Sequence, residues 1–281
     1  MMLNFKIDRE KCISCGGCAA DCPAMIIDMQ GGYPQIHVSK EKQCYRCQHC
    51  LAVCPTGALS ILGKDPQASQ LLAGNLPQTE QLATLIRGRR SVRRYLDENL
   101  EPQLIHDLLQ TAWHAPSGHN ARQVNFFVIE DRALMVQLRE TAYAGIKAAA
   151  ENSELPARLS FFRSFVPAWE KNGMDVVFRE APHLLIATAP KRVPASEADC
   201  LIALSSFELL AQSQGIGTLW NGLAKWTIEK IVPQLSVQFG IPGDHTIGHC
   251  MSFGRPAMEY HRTVQYDEVP IHRINNLKEP L

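Results

Sequence analysis

CISCGGCAADCP, Cys12 to Pro23, comes back further along the chain as CYRCQHCLAVCP, Cys44 to Pro55. Each run spaces three cysteines by two residues, adds a fourth after three more, and stops at a proline. Tetrahedral zinc draws on two separated pairs of ligands, whereas CxxCxxCxxxCP offers three thiolates in one tight loop and a fourth that points away. That is iron–sulfur spacing, in which the fourth cysteine of each run ligates the other cluster. It predicts one 4Fe–4S centre on Cys12, Cys15, Cys18 and Cys54, and a second on Cys44, Cys47, Cys50 and Cys22. A zinc or disulfide knot is the alternative, and it leaves the duplication of the whole run unexplained. Gly16 and Gly17 would let backbone amides approach the sulfurs, and Ala19, Ala20 and Ala52 would pack closely around each cubane. His49, inside the second run, reads as a surface or packing residue, or else as a protonatable group beside the cluster.

Composition bounds the rest. A chain of 281 residues, 46% hydrophobic and 20% charged, can bury a sizeable core and is long enough for two domains. Lys+Arg and Asp+Glu balance at 28 each, so net charge points neither to nucleic acid nor to an anionic membrane as partner. MMLNFKIDREKC carries no apolar signal region, and no run reaches the eighteen or so apolar residues of a membrane span, so a cytoplasmic protein is expected. Eight of the ten cysteines lie in the two runs, which suits metal ligation in a reducing compartment better than disulfides.

Gly63 to Glu80, GKDPQASQLLAGNLPQTE, is interrupted by Pro66, Gly74 and Pro77 and has no sustained periodicity. It divides the chain into a first domain over 1–63, a linker over 64–79, and a second domain over 80–281 that ends in a C-terminal arm. Longer elements follow. LPQTEQLATLIRG reads as a helix, and EPQLIHDLLQTAWHAP as another, with Pro102 in its first turn and Leu104, Ile105, Leu108, Leu109 and Ala112 on one face. VNFFVIE and HLLIATAP have the length of buried strands, ADCLIALSSFELLAQSQGIG is a long apolar helix ended by glycine, and HTIGHCMSFGRP reads as a last strand. The fold class is therefore α+β: a small two-cluster domain, then a central sheet flanked by helices. Cys200 and Cys250, in apolar elements, read as buried thiols. Phe161, Phe162, Phe165 and Trp169 read as core, with a substrate lid as the alternative, and the stretch 143–180 is helix-rich and could cover a site.

Arg87, Arg89, Arg90, Arg93 and Arg94 crowd into IRGRRSVRRY, a concentration of fork-shaped donors suited to phosphate. On this run alone a solvated basic turn serves as well.

Two resemblances carry the reading further. The first sixty or so residues, through CPTGALSIL, resemble a bacterial two-cluster ferredoxin. RRSVRRY is similar to the RRSxRxF signature of the nitroreductase family, APSGHNARQ to its PSxxNxQPW signature, and QGIGTLWNG and FGRPAMEYHR to its later glycine segments, so this likeness covers about residues 80 to 262. It implies an FMN-binding domain with Arg89, Arg90, Ser91 and Arg262 at the phosphate and ribityl chain. Arg93 would then lie beside the N1 and O2 edge of the flavin, where a fixed cation favours the reduced form. Trp220, Asn221 and Gly222 would line the ring near N5. Pro116, Ser117 and Asn120 match the loop that, in the family's intertwined homodimer, reaches the flavin of the other subunit. The chain departs from the pattern at Arg122, Gln123 and Val124, which replace QPW. GIGTLW lacks a third glycine and follows a helix, so it is no dinucleotide fingerprint.

Clusters pass single electrons, whereas a flavin collects two and delivers them together. The expected function is an FMN-dependent oxidoreductase whose two clusters feed the flavin from an unidentified donor, reducing a small aromatic or conjugated electrophile such as a nitro compound or quinone. The alternatives are a relay to a protein partner, a reductive dehalogenase or other flavin chemistry on the same fold, and direct reduction by NAD(P)H.

Overall fold

The computed structural model describes residues 3–276. The duplicated cysteine runs fold into a duplicated backbone. In chain order the first domain contains β1 (Lys6–Ile7), α1 (Gly17–Ala20), β2 (Ile27–Gln30), β3 (Tyr33–Ile36), α2 (His49–Ala52) and β4 (Leu59–Ser60). Left-handed φ recurs at equivalent places in the two runs: Ser14 and Arg46, Gly16 and Gln48, Met25 and Gly57. Gly16 and Gln48 each cap a single helical turn, α1 or α2, which swings the third cysteine back toward the first two. β2 and β3 form a hairpin whose Gly31–Gly32 turn takes positive φ at both residues, 58° and 83°, which glycine does at no steric cost. β1 pairs antiparallel with β4, tying the start of the first repeat to the end of the second. Leu3, Ile26, Ile27, Leu51, Leu59 and Ile61 form the small core, with the cysteines packed among them.

The connecting segment begins on the first domain: Ile61 bridges Lys64, and Gln67 Nε2 donates to the Gly57 carbonyl. Beyond it Leu71, Leu72 and Leu76 are exposed.

The second domain runs α3 (Thr79–Gly88), α4 (Pro102–Ala112), β5 (Asn125–Ile129), α5 (Arg132–Glu151), α6 (Phe165–Asn172), β6 (His183–Pro190), α7 (Ser196–Ser213), β7 (Gly217–Trp220), α8 (Gly222–Trp226), α9 (Gln234–Gln238) and β8 (His245–Gly254). The last four strands form one antiparallel sheet in the order β5-β6-β8-β7. Every residue of β6 is buried, because helices cover both faces, and its sequence is accordingly apolar apart from His183 and Thr188. Leu184 and Ile186 face a core shared with Met135, Tyr143, Ile146 and Phe162; Leu185, Ala187 and Ala189 face a second core shared with Ile105, Leu108, Leu204 and Phe207. The domain is thus a sheet between two helical layers. At Gly248 the β6–β8 register slips, Ala187 pairing with His249 and Thr188 with Ile247. A Cβ on Gly248 would stand 2.2 Å from Cys200 Cβ, so the bulge needs glycine there.

The stretch 143–180, unplaced from sequence, comprises the end of α5, a 3-10 turn over Ala157–Ser164, α6 and the approach to β6. The Tyr143 ring stacks on Trp169 at 4.5 Å, and its hydroxyl reaches Asp175 and accepts from the amides of Val176 and Val177. Phe162 is fully buried, and Phe165 and Trp169 pack against the same core. Phe161 stays exposed, edge-on to Trp226. Among the described residues no helix is long and apolar enough to cross a membrane.

Candidate functional site

The backbone duplication makes two cavities in the first domain. One, of about 360 Å³, is lined by Cys12, Cys15, Cys18 and Cys54; the other, of about 340 Å³, by Cys22, Cys44, Cys47 and Cys50. Each cavity takes three cysteines from one run and the fourth from the other, so the folded chain brings together the same two sets of four as the spacing. The sulfurs surround a space instead of converging on a point: among the described residues no three His, Cys, Asp or Glu side chains are placed to hold a single ion. Four thiolates around such a space suit a cubane. Among the amides that reach sulfur are those of Arg46, on Cys44 Sγ at 3.3 Å, and Ala58, on Cys54 Sγ at 3.3 Å. Gly16 takes the left-handed conformation that opens α1, and a Cβ on Gly17 would lie 3.8 Å from Cys15 Sγ, so the backbone passes close to sulfur there. Burial pushes the Cys50 thiol up to about 12, a cost that ligation to iron would remove. His49 lies 3.5 Å from Asp21, joining the two helical turns at the surface.

In the second domain the arginine run leaves α3 and adds itself to the sheet edge. Ser91 bridges Thr218 of β7, and Val92 N donates to the Thr218 carbonyl. Gly217 makes this possible, since a Cβ there would lie 2.5 Å from Val92 Cγ2. Arg89 Nη1 pairs with the buried Glu208 at 3.2 Å, and Thr218 Oγ1 donates to the same carboxylate oxygen. Arg89 is therefore already partnered. Arg90 differs: one terminal nitrogen holds the Arg87 carbonyl, but its Nε is buried without a partner. Arg93 is exposed and donates to the Ser91 carbonyl. Arg262 lines a groove of about 1140 Å³ together with Gly88 and Leu85 at the end of α3, Gln212 and Ser213 at the end of α7, and Tyr260. The fold thus gathers Arg262 next to the segment that carries Arg89, Arg90 and Ser91, and an orphaned guanidinium N–H in that segment suits an anionic ligand.

Trp220 closes β7 and meets His249 edge-on at 5.4 Å. Asn221, expected to line a ring, is buried; its amide donates to the Val177 carbonyl and Ser252 Oγ, and its oxygen caps α8 at Ala224 N. It has no donor left over, so what it offers is a fixed backbone beside Gly222, whose Cα faces open space. His249, whose basicity burial lowers, sits in a group that sequence reading passed over. Lys225 donates to the carbonyl of the bulged Gly248 at 2.8 Å and pairs with Glu197 at 3.5 Å.

Pro116, Ser117 and Asn120 lie at the other edge of the sheet, in the loop entering β5. Ser117 Oγ accepts from Arg122 N, and Gly118 N donates to the buried Asp199 Oδ1 at 2.9 Å. Arg122, in place of the expected glutamine, stacks on Trp113 at 4.0 Å and donates to the Ala115 carbonyl. These anchors hold His119, Asn120 and Arg122 at positive φ. Pro116 and Ser117 line a small cleft with Asp199 and Ala203, while the Asn120 amide reaches into the first domain, donating to the Tyr45 carbonyl at 2.9 Å. One chain therefore keeps the two groups of sequence-picked residues apart, with Arg90 and Ser91 beyond β7 and Pro116, Ser117 and Asn120 beyond β5. Cys200 and Cys250 are buried; burial raises the Cys200 thiol to about 12, as befits structural thiols.

Comparison with known proteins accounts for both halves. Residues 11–58 match the model of a 4Fe–4S dicluster domain. The chain is 29% identical to an iodotyrosine deiodinase of Thermotoga neapolitana over 50% of its own length and 73% of the relative's. It is 26% identical to a chloronitrobenzene nitroreductase of Comamonas testosteroni, over 64% of this chain and 88% of that one. In fold it is similar to an FMN-bound nitroreductase of Bacteroides fragilis, with a TM-score of 0.56 at 20% identity, over 69% of this chain and 99% of that one. Residues 86–255, which span the arginine edge, the loop before β5 and the sheet between them, match the nitroreductase family model, and this chain belongs to that family.

Proposed function

We propose that the protein is an FMN- and iron–sulfur-dependent oxidoreductase in which two 4Fe–4S clusters feed electrons to FMN for the reduction of a small aromatic or conjugated electrophile. One observation carries the reading: two four-cysteine cages stand on the same chain as a nitroreductase-family domain. Tethering donor to acceptor raises their effective concentration and removes a diffusional encounter.

In this reading Cys12, Cys15, Cys18 and Cys54 hold one cluster and Cys22, Cys44, Cys47 and Cys50 the other. Arg90, Ser91 and Arg262 hold the FMN phosphate, with Arg89 set in place by Glu208, and Arg93 supplies positive charge beside the ring. Trp220 and the backbone of Asn221 and Gly222 border its reactive edge. When bound, FMN supplies two-electron transfer from N5; the chain's part is to place substrate, fix charge and exclude water. Pro116, Ser117 and Asn120 would complete the flavin site of a partner subunit in a homodimer. Apolar side chains left exposed support that dimer: Leu82 and Ile86 of α3, Leu201 and Ile202 of α7, and Tyr260, Tyr266, Val269, Ile271 and Ile274 of the C-terminal arm. Iron–sulfur ligation favours a cytoplasmic setting.

The relatives' names favour aromatic substrates, one nitrated and one iodinated. The test is anaerobic stopped flow: the protein is reduced stoichiometrically and mixed with a nitroaromatic, a quinone or a halogenated phenol, while cluster and flavin absorbance are followed separately. Flavin reoxidation followed by slower cluster reoxidation supports the wired reductase, and product analysis ranks the three acceptors. Flavin that stays reduced with every small acceptor, yet reoxidises with a protein partner, would leave the relay as the reading.

A further inference from the structure

Two side chains of the loop before β5 meet the first domain at one residue, Tyr45. Asn120 Nδ2 donates to the Tyr45 carbonyl at 2.9 Å, and the His119 ring meets the Tyr45 ring edge-on, centroids 6.3 Å apart. The other end of that same peptide unit is the Arg46 amide, which donates to Cys44 Sγ at 3.3 Å. A single peptide group therefore joins Asn120 to a sulfur of the second cage, whose lining also includes Tyr45 itself. Chained hydrogen bonds polarise one another, so the bond from Asn120 makes the Arg46 N–H a better donor to sulfur.

We propose that the Tyr45–Arg46 peptide is the junction by which the cluster on Cys22, Cys44, Cys47 and Cys50 delivers electrons to the FMN domain, with Asn120 and His119 as the positioning residues that hold it. This rests on the two-cluster FMN reading above. It gives the wire a direction: the first cage, whose Cys15 is exposed, takes electrons from a one-electron donor, and the second passes them on. Each passage oxidises the second cluster by one electron and reduces the flavin by one. Two passages with two protons would complete the flavin's reduction, and the cluster of the first cage would restore that of the second. The anchoring of the loop fits the task, because Asp199, Ser117 and Arg122 fix a backbone held at three left-handed residues and leave little play at Asn120.

The test uses the full-length protein with clusters and FMN loaded, comparing wild type with Asn120→Ala and His119→Ala. An anaerobic redox titration followed by EPR reads both clusters, and stopped flow reads flavin reduction by pre-reduced clusters. Asn120→Ala is expected to make one cluster's potential more negative and leave the other in place, since hydrogen bonds to sulfur raise it. Both variants are expected to slow flavin reduction roughly fivefold, the worth of one neutral hydrogen bond or ring contact at a docked junction. His119→Ala should retain wild-type FMN content. Unchanged potentials and unchanged flavin reduction in both variants would overturn the junction while leaving the oxidoreductase reading intact. Wild-type protein that binds no FMN, or only one cluster, would overturn that reading itself.

Discussion

Arg90 and His183 show what one buried nitrogen can decide. Arg90 holds a buried Nε with no partner at the edge where Arg262 also gathers. Arg90→Ala should weaken FMN binding about tenfold to a hundredfold, as expected for a charge-assisted bond, and Arg90→Lys should recover only part because a point charge cannot copy the fork. Flavin release on dilution, followed by fluorescence, measures it. His183 has no solvent exposure, accepts the Leu100 amide through Nε2 at 3.0 Å and faces the Phe253 ring; burial lowers its pKa from 6.5 to about 4. Between those values the unfolded chain binds more protons than the folded one, so stability is full above pH 6.5 and falls as pH drops toward 4. The loss amounts to about 3 kcal/mol. Denaturant midpoints across that range, with His183→Asn as the comparison, check the slope. His183 did not stand out in the sequence, and Arg90 did so only together with Arg89. Arg90 was one of five arginines in a run, and only the fold separates it from Arg89, whose partner Glu208 is distant in the chain. The cysteines were legible because their geometry is local.

At the scale of elements, the sequence was clearest where periodicity was long. β6 and α4 follow their apolar patterns, Pro102 opening α4 and Ile105, Leu108 and Ala112 facing the core. β7 was hidden, since GTLW is short and opens on a glycine that reads as a turn. That glycine is there for contact: with Val92 packed on its Cα, the RRSV segment joins β7. Gly217→Ala should cost about 1–3 kcal/mol by overpacking and displace Ser91 with it. A lowered melting temperature together with reduced flavin content would match; lowered stability with full flavin content would show that the edge tolerates the shift. The role of the loop before β5 was half legible. Its motif marked Ser117 and Asn120, but the contact of Asn120 with Tyr45 joins two domains across a linker, and no local pattern carries that information.

Taken whole, the molecule joins unequal partners. The second domain has two cores packed on either face of a sheet, whereas the first rests on a handful of aliphatic side chains around two cages. With clusters bound, a domain that small would depend on them for folding. Removing iron under anaerobic conditions with a chelator should unfold residues 3–62 while the second domain keeps its structure. Hydrogen exchange resolved by segment measures this, and protection lost equally in both halves would contradict it.

The four-stranded sheet also separates what a chain receives from what it gives. Its arginine edge lies past β7 and its Tyr45 junction past β5, with the full breadth of the sheet between them. In a dimer that shares its flavins, each subunit would then wire its neighbour's cofactor and not its own. A chain crippled at Cys47 and a chain crippled at Arg90 should each be inert as a homodimer, yet regain flavin reduction when paired. Such complementation would make the dimer a reciprocal circuit, in which neither copy turned over alone.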